Sequence, residues 1–102
     1  MPSKRYEIWL NEFIFIVAEI GMGSGRVVSF CVRLMIVEGG HEYNIARYDT
    51  AHGVPHRDVL DREGRLLQKI WFQDQTFESI LNYALDDFKL HYEQYAKAWH
   101  KN

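Results

Sequence analysis

Residues 47–58 contain an unusual density of side chains that can move protons or bind ions. Two of them are histidines, His52 and His56, and the same stretch carries Gly53 and Pro55. Because Gly53 and Pro55 exclude a regular helix, the two imidazoles do not have the helical spacing found in zinc proteases. The sequence therefore predicts a turn that brings both imidazoles to one end of a sheet, where loops on a firm scaffold commonly carry sites.

Two kinds of chemistry could use this set of side chains. In the first, one of His52 and His56 removes a proton from an RNA ribose hydroxyl, and the other protonates the leaving oxygen. Nearby arginines would offset the charge on the phosphate, and this hypothesis needs no cofactor. The supporting residues are Arg47 and Arg57 as phosphate contacts, with Tyr48, Asp49 and Asp58 orienting the imidazoles.

The second kind of chemistry requires a divalent metal. His52, His56 and one of Asp49 or Asp58 would hold an ion with an open position, which would activate water for a hydrolase. Zinc and manganese both suit such a ligand set. A third interpretation needs no chemistry, because histidines and aspartates beside turns often bond the local backbone. The segment would then be a rigid turn in a non-enzymatic interaction domain.

The same stretch has the pattern RYD-x-AHG-x-PH-x-D. This pattern resembles the arginine, aromatic, aspartate and paired-histidine stretch of the TumE-type toxins of toxin–antitoxin pairs, small proteins regarded as candidate ribonucleases. The likeness covers residues 47–58, and typical members carry further histidines where this chain continues with Arg57-Asp58-Val59. The resemblance implies an activity directed at RNA and a cognate antitoxin as protein partner.

The elements around this stretch can be predicted from periodicity. Residues 28–36 alternate apolar and polar side chains, which is typical of a strand with one buried face. Gly39-Gly40 predicts a tight hairpin that returns the chain directly into residues 41–49. The register that follows from this turn pairs Glu38 with His41, Ile36 with Tyr43, Leu34 with Ile45, and Cys31 with Tyr48.

The rest of the chain divides in the same way. A turn at residues 61–64 predicts a second hairpin, which joins residues 59–60 to residues 66–72. Residues 6–20 fit a strand or a helical turn, and we predict a strand for their second half. From Thr76 onward the apolar residues follow three- and four-residue steps, which predicts an amphipathic helix. Two aspartates on that helix, Asp86 and Asp87, are predicted to lie on its exposed face.

These elements predict an α+β fold, with an antiparallel sheet of about four to five strands, built from two hairpins, against one long C-terminal amphipathic helix. A chain of 102 residues fits a single domain spanning residues 1–102. The formal charge of −2 gives no general attraction to nucleic acid, so RNA binding would need a local basic patch.

Location and self-association can also be predicted. The single cysteine, Cys31, fits a reducing compartment, and the chain lacks a membrane-spanning run or signal peptide, so a cytoplasmic protein is expected. Aromatic residues near both ends exceed what one small sheet would cover, which favours a homodimer. These aromatic residues are Tyr6, Trp9, Tyr92, Tyr95 and Trp99.

Overall fold

The computed structural model describes residues 3–102, which form six strands, a short 3-10 turn and one helix. The strands are β1 (Ser3–Trp9), β2 (Ile14–Gly23), β3 (Arg26–Glu38), β4 (His41–Asp49), β5 (His56–Leu60) and β6 (Leu66–Trp71), and helix α1 covers Phe77–Lys101. The strands form one sheet in chain order, and every neighbouring pair is antiparallel. The predicted α+β class, antiparallel sheet and single C-terminal helix are confirmed.

The prediction of four to five strands was too low, because the chain also forms an N-terminal edge strand. β1 pairs with β2 over its full length, from Ser3 opposite Gly21 to Trp9 opposite Phe15. Between the two strands, the Asn11 carboxamide oxygen accepts hydrogen bonds from the Phe13 and Ile14 amides at 2.8 Å each. The spacing that could fit a helical turn therefore belongs to a side-chain-capped turn between strands.

The hairpin of β3 and β4 contains a β-bulge that the sequence did not predict. Glu38 pairs with His41 and Ile36 with Tyr43, as expected, but Leu34 pairs with Ala46 rather than with Ile45. One extra residue on β4 shifts every later pair, so that Val32 faces Tyr48 and Cys31 faces Asp49. The predicted pairing of Cys31 with Tyr48 was wrong, and Tyr48 points into the core instead.

Helix α1 packs across the middle of the sheet, chiefly on β3 and β4. Thr76 caps the helix, since its hydroxyl accepts the Ser79 amide hydrogen bond at 3.1 Å. The buried helix residues are Ile80, Leu81, Ala84, Phe88, Ala96 and Trp99. Trp99 is only 2% exposed, so this part of the aromatic excess is used inside the fold and does not support a partner surface.

The helix gives the sheet two unequal faces. The covered face carries the core residues of the central strands, including Ile16, Val32, Leu34 and Tyr48. The open face carries the alternate residues of the same strands, among them Arg33, Arg47 and Asp58. Within residues 3–102, no helix combines the length and apolar character needed to cross a bilayer.

Candidate functional site

The segment predicted as a functional loop is two strand ends joined by a tight turn. β4 continues to Asp49, a 3-10 turn occupies Ala51–Gly53, and β5 begins at His56. The turn is built from left-handed backbone, with φ of 68° at His52 and 87° at Gly53. Because side chains alternate along a strand, the predicted site residues are divided between the two faces of the sheet.

The open face receives four of the predicted residues, and they contact one another. The His56 Nε2 atom lies 3.1 Å from Asp49 Oδ1 and 3.6 Å from Asp58 Oδ2. The Arg47 guanidinium lies 3.1 Å from Asp58 Oδ2 and 3.6 Å from Asp49 Oδ2, and so bridges both carboxylates. Arg47, Asp49, His56 and Asp58 therefore form one network, which we call the open-face cluster.

Both ring nitrogens of His56 have partners. Its Nδ1 atom lies 3.2 Å from the Val54 carbonyl oxygen, which can only accept a hydrogen bond. A protonated Nδ1 can donate to this oxygen, while Nε2 lies against the Asp49 carboxylate. The side chain is 4% exposed. A buried imidazole with both ring nitrogens against protein groups suits a structural role better than the role of a base that is open to a substrate.

Two residues of the neighbouring strand β6, Lys69 and Trp71, contact the open-face cluster. The Lys69 Nζ atom lies 3.0 Å from Asp58 Oδ1, although not along a hydrogen-bond direction, so the contact is an ion pair. Lys69 Nζ also lies 5.0 Å from the centre of the Trp71 ring, which lies 5.0 Å from the His56 ring. Trp71 remains 48% exposed. The outer surface of the cluster is thus a tryptophan beside an ammonium group and an imidazole ring.

His52 does not join this cluster. It is exposed on the 3-10 turn, and among residues 3–102 it takes part in none of the side-chain hydrogen bonds or ion pairs. The structure therefore brings His56 together with both aspartates and Arg47, but it does not bring His52 into the same group. The acid–base pairing of the two imidazoles stays a prediction without geometric support.

The remaining predicted residues, Tyr48 and Arg57, lie on the covered face and meet the helix. The Tyr48 hydroxyl donates to Asp87 Oδ2 at 2.7 Å, and the Tyr95 hydroxyl donates to the same oxygen. Arg57 Nη1 donates to the Tyr95 hydroxyl at 3.0 Å, and His91 Nδ1 lies 2.9 Å from Asp87 Oδ1. Tyr48 and Arg57 are thus separated by the sheet from the residues with which they were grouped.

This covered-face network centres on a carboxylate that the sequence assigned to the surface. The Asp87 side chain is 10% exposed, so its predicted exposed position was wrong, while Asp86 is exposed as expected. Burial, followed by the hydrogen bond to Asp87, raises the pKa of Tyr48, and the same two causes raise the pKa of Tyr95. Both hydroxyls therefore stay protonated and act as donors. The sequence signal was the spacing of Asp87, which lies three residues after Ala84 and seven after Ile80 on the apolar stripe of the helix.

A cleft of about 580 Å³ borders the open-face cluster on the side of β1–β3. Along its floor run Arg5, Glu19, Cys31 and Asp49, which are paired in register across four strands. Burial raises the pKa of the Cys31 thiol, so this cysteine lacks the thiolate character of a nucleophile. The cleft therefore extends the open-face cluster with polar and cationic groups rather than with a reactive thiol.

Asp49, His56 and Asp58 are also the one group among residues 3–102 that could hold a metal ion. One ligand atom from each residue lies within 4.8 Å of the other two. One nitrogen and two carboxylate oxygens fit zinc or manganese in ligand type. However, Arg47 and Lys69 already neutralise Asp58, so a bound ion would have to compete with two side-chain cations.

The sequence model of one protein family, described as "Domain of unknown function (DUF7718)", matches residues 1–102. No curated protein and no solved structure shows a significant match to the chain.

Proposed function

The chain belongs to the DUF7718 family, and we propose that it binds single-stranded RNA on the open face of its sheet. Trp71 would stack on a base, while Arg47, Lys69 and Arg5 would contact backbone phosphates. The observation that carries this proposal is the exposed Trp71 ring with Lys69 Nζ at 5.0 Å, on a sheet face that the helix leaves uncovered.

A stacking platform of this kind suits single-stranded RNA for physical reasons. Unstacked bases expose aromatic faces, and proteins commonly bind them on aromatic side chains projecting from an antiparallel sheet. Trp71 is 48% exposed at one end of the open face, and Trp9 is 53% exposed at the other. The Trp9 ring is supported by the Phe15 ring, since the two rings stack with their centroids 4.4 Å apart. Two rigid aromatic surfaces therefore flank the charged residues.

The charge on the open face limits what electrostatics can contribute. Arg33 pairs with Glu19, and Asp58 pairs with both Arg47 and Lys69, so most cations have an acidic partner. The formal charge of the whole chain is −2. Binding must therefore depend on stacking and short-range contacts more than on a long-range field. We expect a shallow salt dependence, because each phosphate contact adds only about 0.7 to the logarithmic slope.

The resemblance to TumE-type toxins supports RNA as the ligand class and a cognate antitoxin as a protein partner. Four of the residues in the matching stretch lie in the open-face cluster, namely Arg47, Asp49, His56 and Asp58. Cleavage by His52 and His56 has less support, because both nitrogens of His56 are occupied and His52 lies outside the cluster. We therefore propose RNA binding in preference to RNA cleavage, and we assign His56 the role of positioning Asp49 and Trp71.

Fluorescence anisotropy with labelled single-stranded RNA tests the proposal. Because stacking on one aromatic side chain contributes about 1–3 kcal/mol per base, Trp71→Ala should weaken binding by roughly 5- to 150-fold. Tyr83→Ala is the matched control, since Tyr83 is 53% exposed but lies on the helix. Failure of the unmodified chain to bind RNA, or equal losses in the two variants, would refute the proposal.

A second candidate function is metal-dependent hydrolysis at Asp49, His56 and Asp58, favoured by the convergence of their ligand atoms within 4.8 Å. The ion would activate a water molecule, and the three side chains would hold it. A thermal-shift titration with zinc or manganese tests this candidate. It requires a rise in melting temperature that Asp49→Ala abolishes, whereas an unchanged melting temperature excludes it.

A further inference from the structure

Strand β6 leaves one edge of the sheet unpaired and apolar. β6 is the last strand in the sheet order, and all six of its residues are exposed. Four of the six are large apolar residues with exposures between 36% and 51%. These residues are Leu66, Leu67, Ile70 and Trp71. An exposed apolar edge strand is a template for another strand, and natural proteins usually protect such edges.

The opposite edge of the sheet shows that protection. β1 has the sequence SKRYEIW, with three charged side chains among seven residues. β6 has the sequence LLQKIW, and its single charge, on Lys69, is already paired with Asp58 at 3.0 Å. A second copy of β6 could therefore approach without bringing an uncompensated charge. Pairing between two copies of β1 would bring several charged side chains together.

One hydrogen bond shows which backbone groups of β6 point away from the sheet and remain unpaired. The Phe72 amide donates to the Pro55 carbonyl at 2.9 Å, so the backbone of Phe72 points toward the neighbouring strand. Since backbone direction alternates along a strand, Ile70 also points inward, while Lys69 and Trp71 point outward. The free donors and acceptors of this edge are therefore the amides and carbonyls of Lys69 and Trp71.

We propose that β6 pairs antiparallel with β6 of a second copy of the chain, in a two-fold register centred on Ile70. Each Lys69 would then face Trp71 of the other copy, which gives one Lys69–Trp71 pair on each side of the axis. The two residues of each pair would exchange two backbone hydrogen bonds. Ile70 would face its own counterpart on the covered face. The alternative register centred on Lys69 sets two ammonium groups directly opposite each other, which disfavours it.

The helices leave room for this arrangement. α1 packs on β3 and β4, and it makes few contacts with β6. In a continuous twelve-stranded sheet the two helices would be separated by about six strand spacings, or roughly 29 Å at ~4.8 Å per strand. A helix is only about 10–12 Å wide, so the two copies would not collide. The open faces would join, with Lys69 and Trp71 of both copies at the centre.

Analytical ultracentrifugation of the chain without RNA tests the pairing independently of RNA binding. At micromolar concentration we expect a species of about twice 12.1 kDa. Ile70→Lys should convert it to the monomer, because it places two ammonium groups opposite each other at the axis. Tyr6→Lys is the matched control, since Tyr6 and Ile70 are both 36% exposed but Tyr6 lies on the other edge. This control should remain dimeric.

A cross-linking experiment tests the register. With Cys31 replaced by serine, Ile70→Cys should give a disulfide-linked dimer on mild oxidation, because residues that face each other across such a pair lie close enough for a disulfide. Tyr6→Cys should not. A monomer at every concentration, or equal effects at the two edges, would overturn the proposal. Circular dichroism of each variant distinguishes loss of association from loss of the fold.

Discussion

Asp87 lies at the contact between helix and sheet, and replacing it should destabilise the fold strongly. Its carboxylate accepts hydrogen bonds from the Tyr48 and Tyr95 hydroxyls and lies 2.9 Å from His91 Nδ1. Tyr48 is 0% exposed, so water cannot replace the lost acceptor. Hydrogen bonds to a charged group contribute about 1.5–3 kcal/mol each. His91 is half-exposed and should contribute little.

We therefore expect Asp87→Ala to lower the free energy of unfolding by about 3 kcal/mol, mostly through its two tyrosine partners. For a domain of this size, that corresponds to a fall of roughly 12–24 °C in melting temperature. Urea unfolding monitored by circular dichroism measures the free energy directly. Asp86→Ala is the matched control, because Asp86 is exposed on the same helix and should change stability by less than about 0.5 kcal/mol.

A double-mutant cycle assigns the loss to the hydrogen bond rather than to the helix. Tyr48→Phe removes only the hydroxyl, and in combination with Asp87→Ala it should show a coupling of at least about 1 kcal/mol. The reasoning is refuted if Asp87→Ala and Asp86→Ala have the same stability. It is also refuted if the effects of Tyr48→Phe and Asp87→Ala are simply additive.

Three further perturbations follow from the contacts of the fold. Burial, followed by the hydrogen bond to Asp87, raises the pKa of Tyr48 above its ordinary value of 10.0. The contribution of Tyr48 to the free energy of unfolding should therefore be complete below pH 10.0. Above that pH the contribution should fall by up to about 1.4 kcal/mol per pH unit, because Tyr48 loses its hydroxyl proton first in the unfolded chain. Urea unfolding on either side of that pH measures the fall, which Tyr48→Phe should reduce. Asp58→Asn should lower the free energy of unfolding by about 1–2 kcal/mol, because the 2%-exposed Asp58 carboxylate pairs with two cations that are themselves partly solvated. Glu63→Gln, on the exposed surface, should change the free energy of unfolding little. Gly40→Ala should lower the melting temperature and cost about 1 kcal/mol, because Gly40 has φ of 78° in the hairpin turn, and an unchanged melting temperature would contradict this.

The local patterns in the sequence were sufficient for the elements that carry strong periodicity. The alternation in residues 28–36 and the Gly39-Gly40 turn correctly located β3, β4 and the start of their register. The three- and four-residue spacing after Thr76 correctly located α1. These features depend on neighbouring residues along the chain, so sequence reasoning could reach them.

The edge strand and the bulge were beyond that reasoning for different physical reasons. β1 is exposed over almost its whole length, so it has no buried face to impose an apolar pattern. The bulge at Ile45 arises because both Ile45 and Ala46 are buried, which depends on what packs against β4. A shift of one residue reverses the side chains of a strand, and it determines that Tyr48 meets the helix.

By itself, the sequence determined the class of fold, the C-terminal helix, the central hairpin and the stretch in which charged side chains are concentrated. Only the tertiary structure determined which of those side chains meet. Strand alternation sends Arg47, Asp49, His56 and Asp58 to the open face and Tyr48 and Arg57 to the helix, and a left-handed turn leaves His52 aside. The partners Lys69, Trp71, Asp87 and Tyr95 come from distant positions in the chain, because pairing and packing bring together residues that no local pattern connects.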